Sequence, residues 1–510
     1  MRMFTLAIFL TIAGVQFLTA QQRPPNIIVI FSDDHTRQAI SAYGGTLMQT
    51  PGIDRIAREG AILQRAYVTN SICSPSRAVF LTGKYSHING LRDNSAGRSF
   101  DGSQQQIQKL LKTKNYQTAW IGKWHLQSLP QGFDYWTILP DQGNYFQPAF
   151  IHMNKDTVKH QGYVTDLISA FSLQWLQQRD TSKPFFLVVG EKATHRNWMP
   201  AVEDLGAFDD KTFPLPPTFW DNYEGREAAK IQDMTINKTM ILRDDLKIDV
   251  DYTRPGMFGR MSDTEKEAYK KYYDAAELAY EKVKHDSVAL AQWKYQRYLR
   301  DYLSTAKGMD RNITKILDAI DAMGLRENTI VIYTSDQGFY LGEHGWFDKR
   351  FMYEESFSTP FVIRYPGHIK PGTSVNDLVM NLDIAPTLLS YAGVKVPEDI
   401  QGESIKPLLE GKPVKGWREY AYYHYYEYPL SHKVAKHFGV SSDRYKLIYY
   451  YDPVKSWELF DLKKDPREMK NVYQDPAYQK VVATMKKQLI KAAKQYKDDE
   501  AVGMLLANSY

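Results

Sequence analysis

Four short apolar runs, each leading into ionisable residues, constrain this chain more than any other feature. Residues 26–31 (NIIVIF) form a continuous, β-branched run that stops at Ser32, Asp33 and Asp34, and comparable runs cover residues 117–122, 185–190 and 329–334. Unbroken apolar runs of this length suit strands buried on both faces of a parallel sheet. Helical-period patterns lie between them, at residues 104–111 and 164–178 and in a long charged stretch over 262–323. Strands alternating with helices predict an α/β fold, a large, mostly parallel sheet with helices on both faces. Ligands of open sheets gather beyond the carboxyl ends of the strands. Asp33, Lys123, His195 and Asp336 follow the four runs, so distant segments converge on one edge.

The texture changes near residue 415. Tyr-rich short strands are expected at residues 420–428, 445–451 and 458–462, then a Lys-rich helix from about Pro476. The expected organisation is a leader at 1–20, a catalytic domain at 21–415 and a smaller subdomain at 416–510 that completes the substrate pocket. The leader reading rests on Arg2, the apolar run from 3 to 17 and the small-residue end at Ala20, which resemble a signal peptide. It predicts export, with the periplasm as destination for a bacterial chain. No later run approaches membrane-spanning length. The formal net charge of +5 falls by one on losing Arg2, too small a surplus for a nucleic-acid binder of this size.

Cys73 is the one cysteine of 510 residues, so an exported chain carries a single thiol and no disulfide. It opens Cys73-Ser74-Pro75-Ser76-Arg77, followed by Thr82-Gly83-Lys84. Here the chain resembles the formylglycine-dependent sulfatase family of the alkaline phosphatase superfamily, in which a cysteine two residues before Pro-Ser-Arg is oxidised to formylglycine. The resemblance runs from Asn26 to about Leu462. It implies a sulfatase-maturating enzyme as partner and a hydrated aldehyde as nucleophile: one hydroxyl attacks sulfur, and the other expels sulfate afterwards. Arg77 is expected to orient that group, with Lys84 supporting it.

A sulfate ester is anionic, and its transition state needs a metal and fixed cations around it. Adjacent acids at a strand end suit a hard cation. By the family resemblance, Asp33, Asp34, Asp336, Gln337 and the modified Cys73 ligate calcium. The family often has Asn where this chain has Gln337, and either supplies an amide oxygen. Lys123, His125, His195 and Lys349 sit in motifs that match sulfate-binding positions. Lys123 and His125, two apart in an extended segment, are expected on one face, and His195 is the leading choice to protonate the departing alcohol. His35, Glu343 and His344 are expected to support the ligands from behind.

The run 335–345 leading into 349–356 is similar to N-acetylglucosamine-6-sulfatases. It implies a sulfated saccharide substrate, the 6-O-sulfate of glucosamine units from heparin, heparan sulfate or other host glycans. His424, Glu427 and His437 are the candidates for sugar contacts, as aromatic and polar residues suit sugar faces and hydroxyls. Other sulfated sugars, aryl sulfates, a phosphatase or phosphodiesterase of the superfamily, and a catalytically silent glycan-binding protein remain alternatives.

Overall fold

The four apolar runs form the centre of a ten-stranded sheet. In sheet order the strands are Thr373–Val375, Ala61–Leu63, Phe361–Arg364, Thr329–Ser335, Asn26–Ser32, Phe185–Gly190, Gln117–Lys123, Tyr135–Leu139, Ala149–His152 and Thr157–Lys159. The five from Thr329–Ser335 to Tyr135–Leu139 are parallel. Phe361–Arg364 and Ala149–His152 join antiparallel on either flank, so the sheet is mixed outside its parallel centre. One flank is a hairpin, Ala149–His152 with Thr157–Lys159, whose short connection is compatible only with antiparallel pairing. This computed structural model describes residues 23–507; the leader expected at 1–20 lies outside the described residues.

The central strands are apolar on both faces because both faces are covered. Ile27, Val29 and Phe31 pack into one core with the helices Cys73–Thr82 and Ile384–Tyr391. Ile28 and Ile30 pack into another with Pro51–Arg58, Val164–Gln178 and Ser287–Ala322. The charged stretch over 262–323 is two helices, Asp263–Val283 and Ser287–Ala322. A capping box of Ser262 and Glu265 starts the first, and the Asp286 side chain caps the second by accepting from the Val288 and Ala289 amides.

Register brings the strand ends level: Ser32 pairs with Ser335, Phe31 with Gly190, and Gly122 with Gly190. At this edge Gly122 has φ 104°, and a Cβ there would meet the Gly190 carbonyl oxygen at 2.1 Å. Only glycine permits that approach, from which Lys123 and Lys192 diverge into the site.

A second, antiparallel sheet comprises Ala421–Tyr425, Lys436–Ser441, Tyr445–Asp452 and Ser456–Asp461, covered by the helices Gln479–Gln495 and Asp499–Ala507. His437, outside the strands expected from the pattern, lies in the strand Lys436–Ser441. The core of this sheet includes Ile72, Val79, Tyr340 and Phe351, so it packs directly behind the segments that carry Cys73 and Lys349. Among the described residues, no helix is long and apolar enough to cross a membrane.

Candidate active site

The level strand ends place Asp33, Asp34 and Asp336 together, fully buried, with carboxylate oxygens within 4.8 Å of one another. The Asp34 amide donates to Asp336 Oδ1 at 3.1 Å, tying the two strand ends. Three cations balance the acids. Lys123 Nζ bonds Asp33, Lys349 Nζ lies 2.7 Å from Asp34 Oδ2, and Arg77 Nη2 lies 3.0 Å from Asp336 Oδ2. Arg77 also donates from Nη1 to the Lys123 carbonyl at 3.0 Å, so it fixes the Lys123 strand end as well as the acid.

Burial and charge act in opposite directions here. Burial raises Asp33, but Lys123, Arg77 and Lys349 outweigh it and hold the carboxyl well below the usual range. Burial pushes Asp34 up to about 6 despite Lys349, and Asp336 up to about 7, with Asp33 adding to the rise. Asp33 Oδ1 and Gln337 Oε1 are buried without a hydrogen-bond partner. A cluster of three buried acids, two of them with raised pKa values, beside two buried oxygens without a hydrogen-bond partner, fits a hard divalent cation.

Cys73 begins the helix Cys73–Thr82, all ten residues of which are buried, and its Sγ lies 4.0 Å from Gln337 Nε2. Burial pushes the Cys73 thiol up to about 12. An unmodified thiol is therefore a poor nucleophile at neutral pH. The helix N-terminus favours negative charge developing at this side chain.

His195 presents Nε2 to the acids, 4.0 Å from Asp34 Oδ2, while Nδ1 lies 2.6 Å from the Arg196 carbonyl oxygen. That carbonyl takes the ring proton on Nδ1, leaving Nε2 bare. Burial, reinforced by Lys123, holds the imidazole well below its ordinary range, so it is neutral. Lys123 and His125 do not share an extended segment: His125 has φ 53°. The turn sends its ring to Asp141, with Nε2 at 3.3 Å, and to Ser74, with Nδ1 at 3.3 Å from Oγ.

Several participants gave no sequence signal. Gln142 accepts from Lys123 at 2.5 Å through Oε1, and its carbonyl accepts from Lys192 Nζ at 3.0 Å. Burial and Lys123 depress Lys192 to about 7. Lys192 lies two residues beyond the run 185–190, which is the one clue the sequence held. Asp348 and Arg350 flank Lys349 with φ of 77° and 103°, and Asp34 is also left-handed at 62°, so strained backbone gathers at this edge.

The sugar-contact expectations need correction. His424 is buried, with Nδ1 2.6 Å from Asp498 Oδ2 and Nε2 3.0 Å from the Tyr451 hydroxyl. His437 is buried, with Nδ1 on the Ala435 carbonyl at 2.7 Å and Nε2 accepting from the Met352 amide at 3.1 Å. Both rings have two protein partners already. Glu427 is also buried, but it bonds Arg350 Nη1 through Oε1 and the Asn94 amide through Oε2, while Asn94 Oδ1 accepts from the Ser74 amide at 3.3 Å. It is a strap between the neighbours of Lys349 and Cys73. Lys84 pairs with Asp399 beyond the far end of the helix Cys73–Thr82, about 16 Å along from Cys73, and supports nothing at Arg77. His35 bonds the Tyr333 hydroxyl, His344 bonds Asp221 at 2.8 Å and Glu343 accepts from the Leu341 amide.

Residues 25–394 match the family model described as "Sulfatase". The chain belongs to the sulfatase family. Residues 342–495 of this sulfatase match a second model, "N-sulphoglucosamine sulphohydrolase, C-terminal". The sulfatase is 47% identical over 494 residues to an N-acetylglucosamine-6-O-sulfatase of Bacteroides thetaiotaomicron, covering 94% of this chain and 88% of that one. It is 27% identical to the human N-acetylglucosamine-6-sulfatase over 79% of this chain and 68% of the other. A solved structure in complex with its substrate D-glucosamine-2-N,6-O-disulfate superposes with TM-score 0.91 at 46% identity, covering 94% of this chain and 99% of that one.

Proposed function

We propose that this sulfatase hydrolyses the 6-O-sulfate of N-acetylglucosamine or glucosamine units from heparin, heparan sulfate or related glycans, after export to the periplasm. The observation that carries the reaction is the placement of Cys73 at a buried helix start beside three acids and three cations. The sugar assignment rests on the relative at 47% identity and on the neighbour bound to a 6-O-sulfated glucosamine. Export rests on the pattern of residues 1–20.

Asp33, Asp34, Asp336 and Gln337 are the residues that would hold calcium, which supplies charge stabilisation to the sulfuryl oxygens. Converted to formylglycine by a maturating enzyme, the Cys73 side chain supplies a hydrated aldehyde in place of an inert thiol. The remaining steps belong to the chain's own side chains. Arg77, locked between Asp336 and the Lys123 carbonyl, orients the modified side chain. Lys123 and Lys349 offer ammonium groups to the sulfate, and their pairing with Asp33 and Asp34 holds them in place before substrate arrives, so little reorganisation is needed. His125, steadied by Asp141, bonds Ser74, the neighbour of Cys73. His195 is positioned to take up a proton at its bare Nε2 and pass it to the leaving sugar oxygen; the anionic ester offsets the burial and the neighbouring Lys123 that keep its ring neutral in the free enzyme.

The test is sulfate release from N-acetylglucosamine 6-sulfate beside N-acetylgalactosamine 6-sulfate, a 2-sulfated uronate, an aryl sulfate and a phosphate monoester. The protein is co-expressed with a maturating enzyme, with Cys73→Ala as control. Selective, Cys73-dependent release from the glucosamine sugar is expected. Turnover confined to another sulfate ester removes the sugar assignment, and preferential phosphate release removes the reaction class.

A further inference from the structure

The helix Gln479–Gln495 (QKVVATMKKQLIKAAKQ) contains no acid, and its two faces have different occupants. Val482, Met485, Leu489, Ala492 and Ala493 are buried against the four-stranded sheet. Lys480, Lys487, Lys491 and Lys494 are exposed. Their spacings of seven, four and three residues set them in one row, which extends over about 21 Å. None of the four is ion-paired with a described residue, whereas many of the chain's other surface lysines, such as Lys112, Lys270 and Lys436, have acidic partners.

At its start the row enters a groove of about 830 Å³ that Lys480 lines together with Arg65, Arg444 and Lys463. Asp377, Glu419 and Asp443 also line it, and Lys463 lies 3.9 Å from Asp443, so the groove is mixed in charge while the helix row is purely cationic. Trp417 and Tyr420 supply aromatic surface there. No residue of the Cys73 cluster lines the groove.

We infer that this row and groove form a docking surface, separate from the active site, for the sulfated polysaccharide chain on which the enzyme works. The inference rests on the proposed saccharide substrate. A linear, unpaired row of ammonium groups complements a linear polyanion, and aromatic rings at one end suit sugar faces. A lipid surface is the poorer match, because a membrane-binding helix offers its apolar face outward and here that face is packed against the sheet. Docking would raise the local concentration of chain ends near the active site without altering the chemistry.

The test uses the full chain carrying Lys487→Glu, Lys491→Glu and Lys494→Glu together, with the milder triple Lys→Gln variant beside it. Retention on immobilised heparin, binding to anionic phospholipid vesicles, KM on a 6-O-sulfated oligosaccharide and turnover of N-acetylglucosamine 6-sulfate are measured. Heparin affinity is expected to fall roughly ten-fold or more in the Glu variant and less in the Gln variant, since each exposed pair contributes modestly. KM for the oligosaccharide rises in parallel, and monosaccharide turnover stays at the wild-type value. Unchanged heparin retention overturns the inference, as does a loss confined to anionic phospholipid vesicles. Heparin retention needs no catalysis: wild-type protein that binds heparin through these lysines but spares glucosamine 6-sulfate would overturn the proposed substrate and leave the docking surface standing.

Discussion

Glu427→Gln separates a strap from a sugar ligand. In the folded chain the Glu427 carboxylate joins Arg350 to the Asn94 amide, and Asn94 in turn holds the Ser74 amide, next to Cys73. Arg350 sits beside Lys349 in a left-handed conformation that needs such restraint. Glutamine keeps the volume and one carbonyl oxygen for Arg350 but removes the charge and turns an NH₂ group toward the Asn94 N–H. A hydrogen bond to a buried charged group contributes about 1.5–3 kcal/mol. Arg350 keeps Asp348 at 3.2 Å and the Tyr425 hydroxyl at 3.4 Å, which favours the lower part of that range. About 2 kcal/mol expressed as lost alignment of Cys73 and Lys349 corresponds to a roughly 30-fold fall in rate. The assay is kcat and KM for N-acetylglucosamine 6-sulfate and for an aryl sulfate, which has no sugar hydroxyls. A fall in kcat on both esters with little change in KM is expected. A rise in KM on the sugar alone, with aryl sulfate kcat intact, would refute the strap and return Glu427 to the sugar.

Three further outcomes follow from the structure. Burial pushes Glu458 up to about 7 from 4.5, although the Tyr353 and Tyr450 hydroxyls and Arg226 favour its charge. Between those values the unfolded chain loses the proton first, so Glu458 subtracts stability as pH rises, by up to about 3 kcal/mol above pH 7; Glu458→Gln should stabilise at about pH 8 and not at about pH 4, read from denaturant midpoints at both. His437→Leu leaves the Ala435 carbonyl and the Met352 amide unpartnered, at a cost of roughly 2–4 kcal/mol in urea unfolding, while the KM for the sugar ester stays unchanged in the folded protein. Chelation of divalent cations should lower the melting temperature and added calcium restore it, by about 2.7 kcal/mol at a hundred-fold excess over Kd; an unchanged melting curve argues against the Asp33, Asp34 and Asp336 cation site.

The central strands and the cluster were legible because their signals are local. A strand buried on both faces is apolar through its middle, and the polar residue that ends it lies at the sheet edge; residues 27–31 and 330–332 carry the apolar part of that signal. Cys73-Ser74-Pro75-Ser76-Arg77 is contiguous, so its chemistry is written in one segment. The strand Lys436–Ser441 carried no comparable pattern, because pairing with neighbours on both sides decides its conformation.

The sequence by itself determined which residues end the strands and which segment carries the modifiable cysteine, since both depend on short-range order. Only the tertiary structure decided what the polar residues of the second sheet do. His424, Glu427 and His437 have the composition of a sugar site, but hydrogen-bond capacity does not reveal which partner will fill it. Asp498 and Tyr451 filled it for His424, Ala435 and Met352 for His437, and Arg350 and Asn94 for Glu427, because a buried polar group left unpaired is costly.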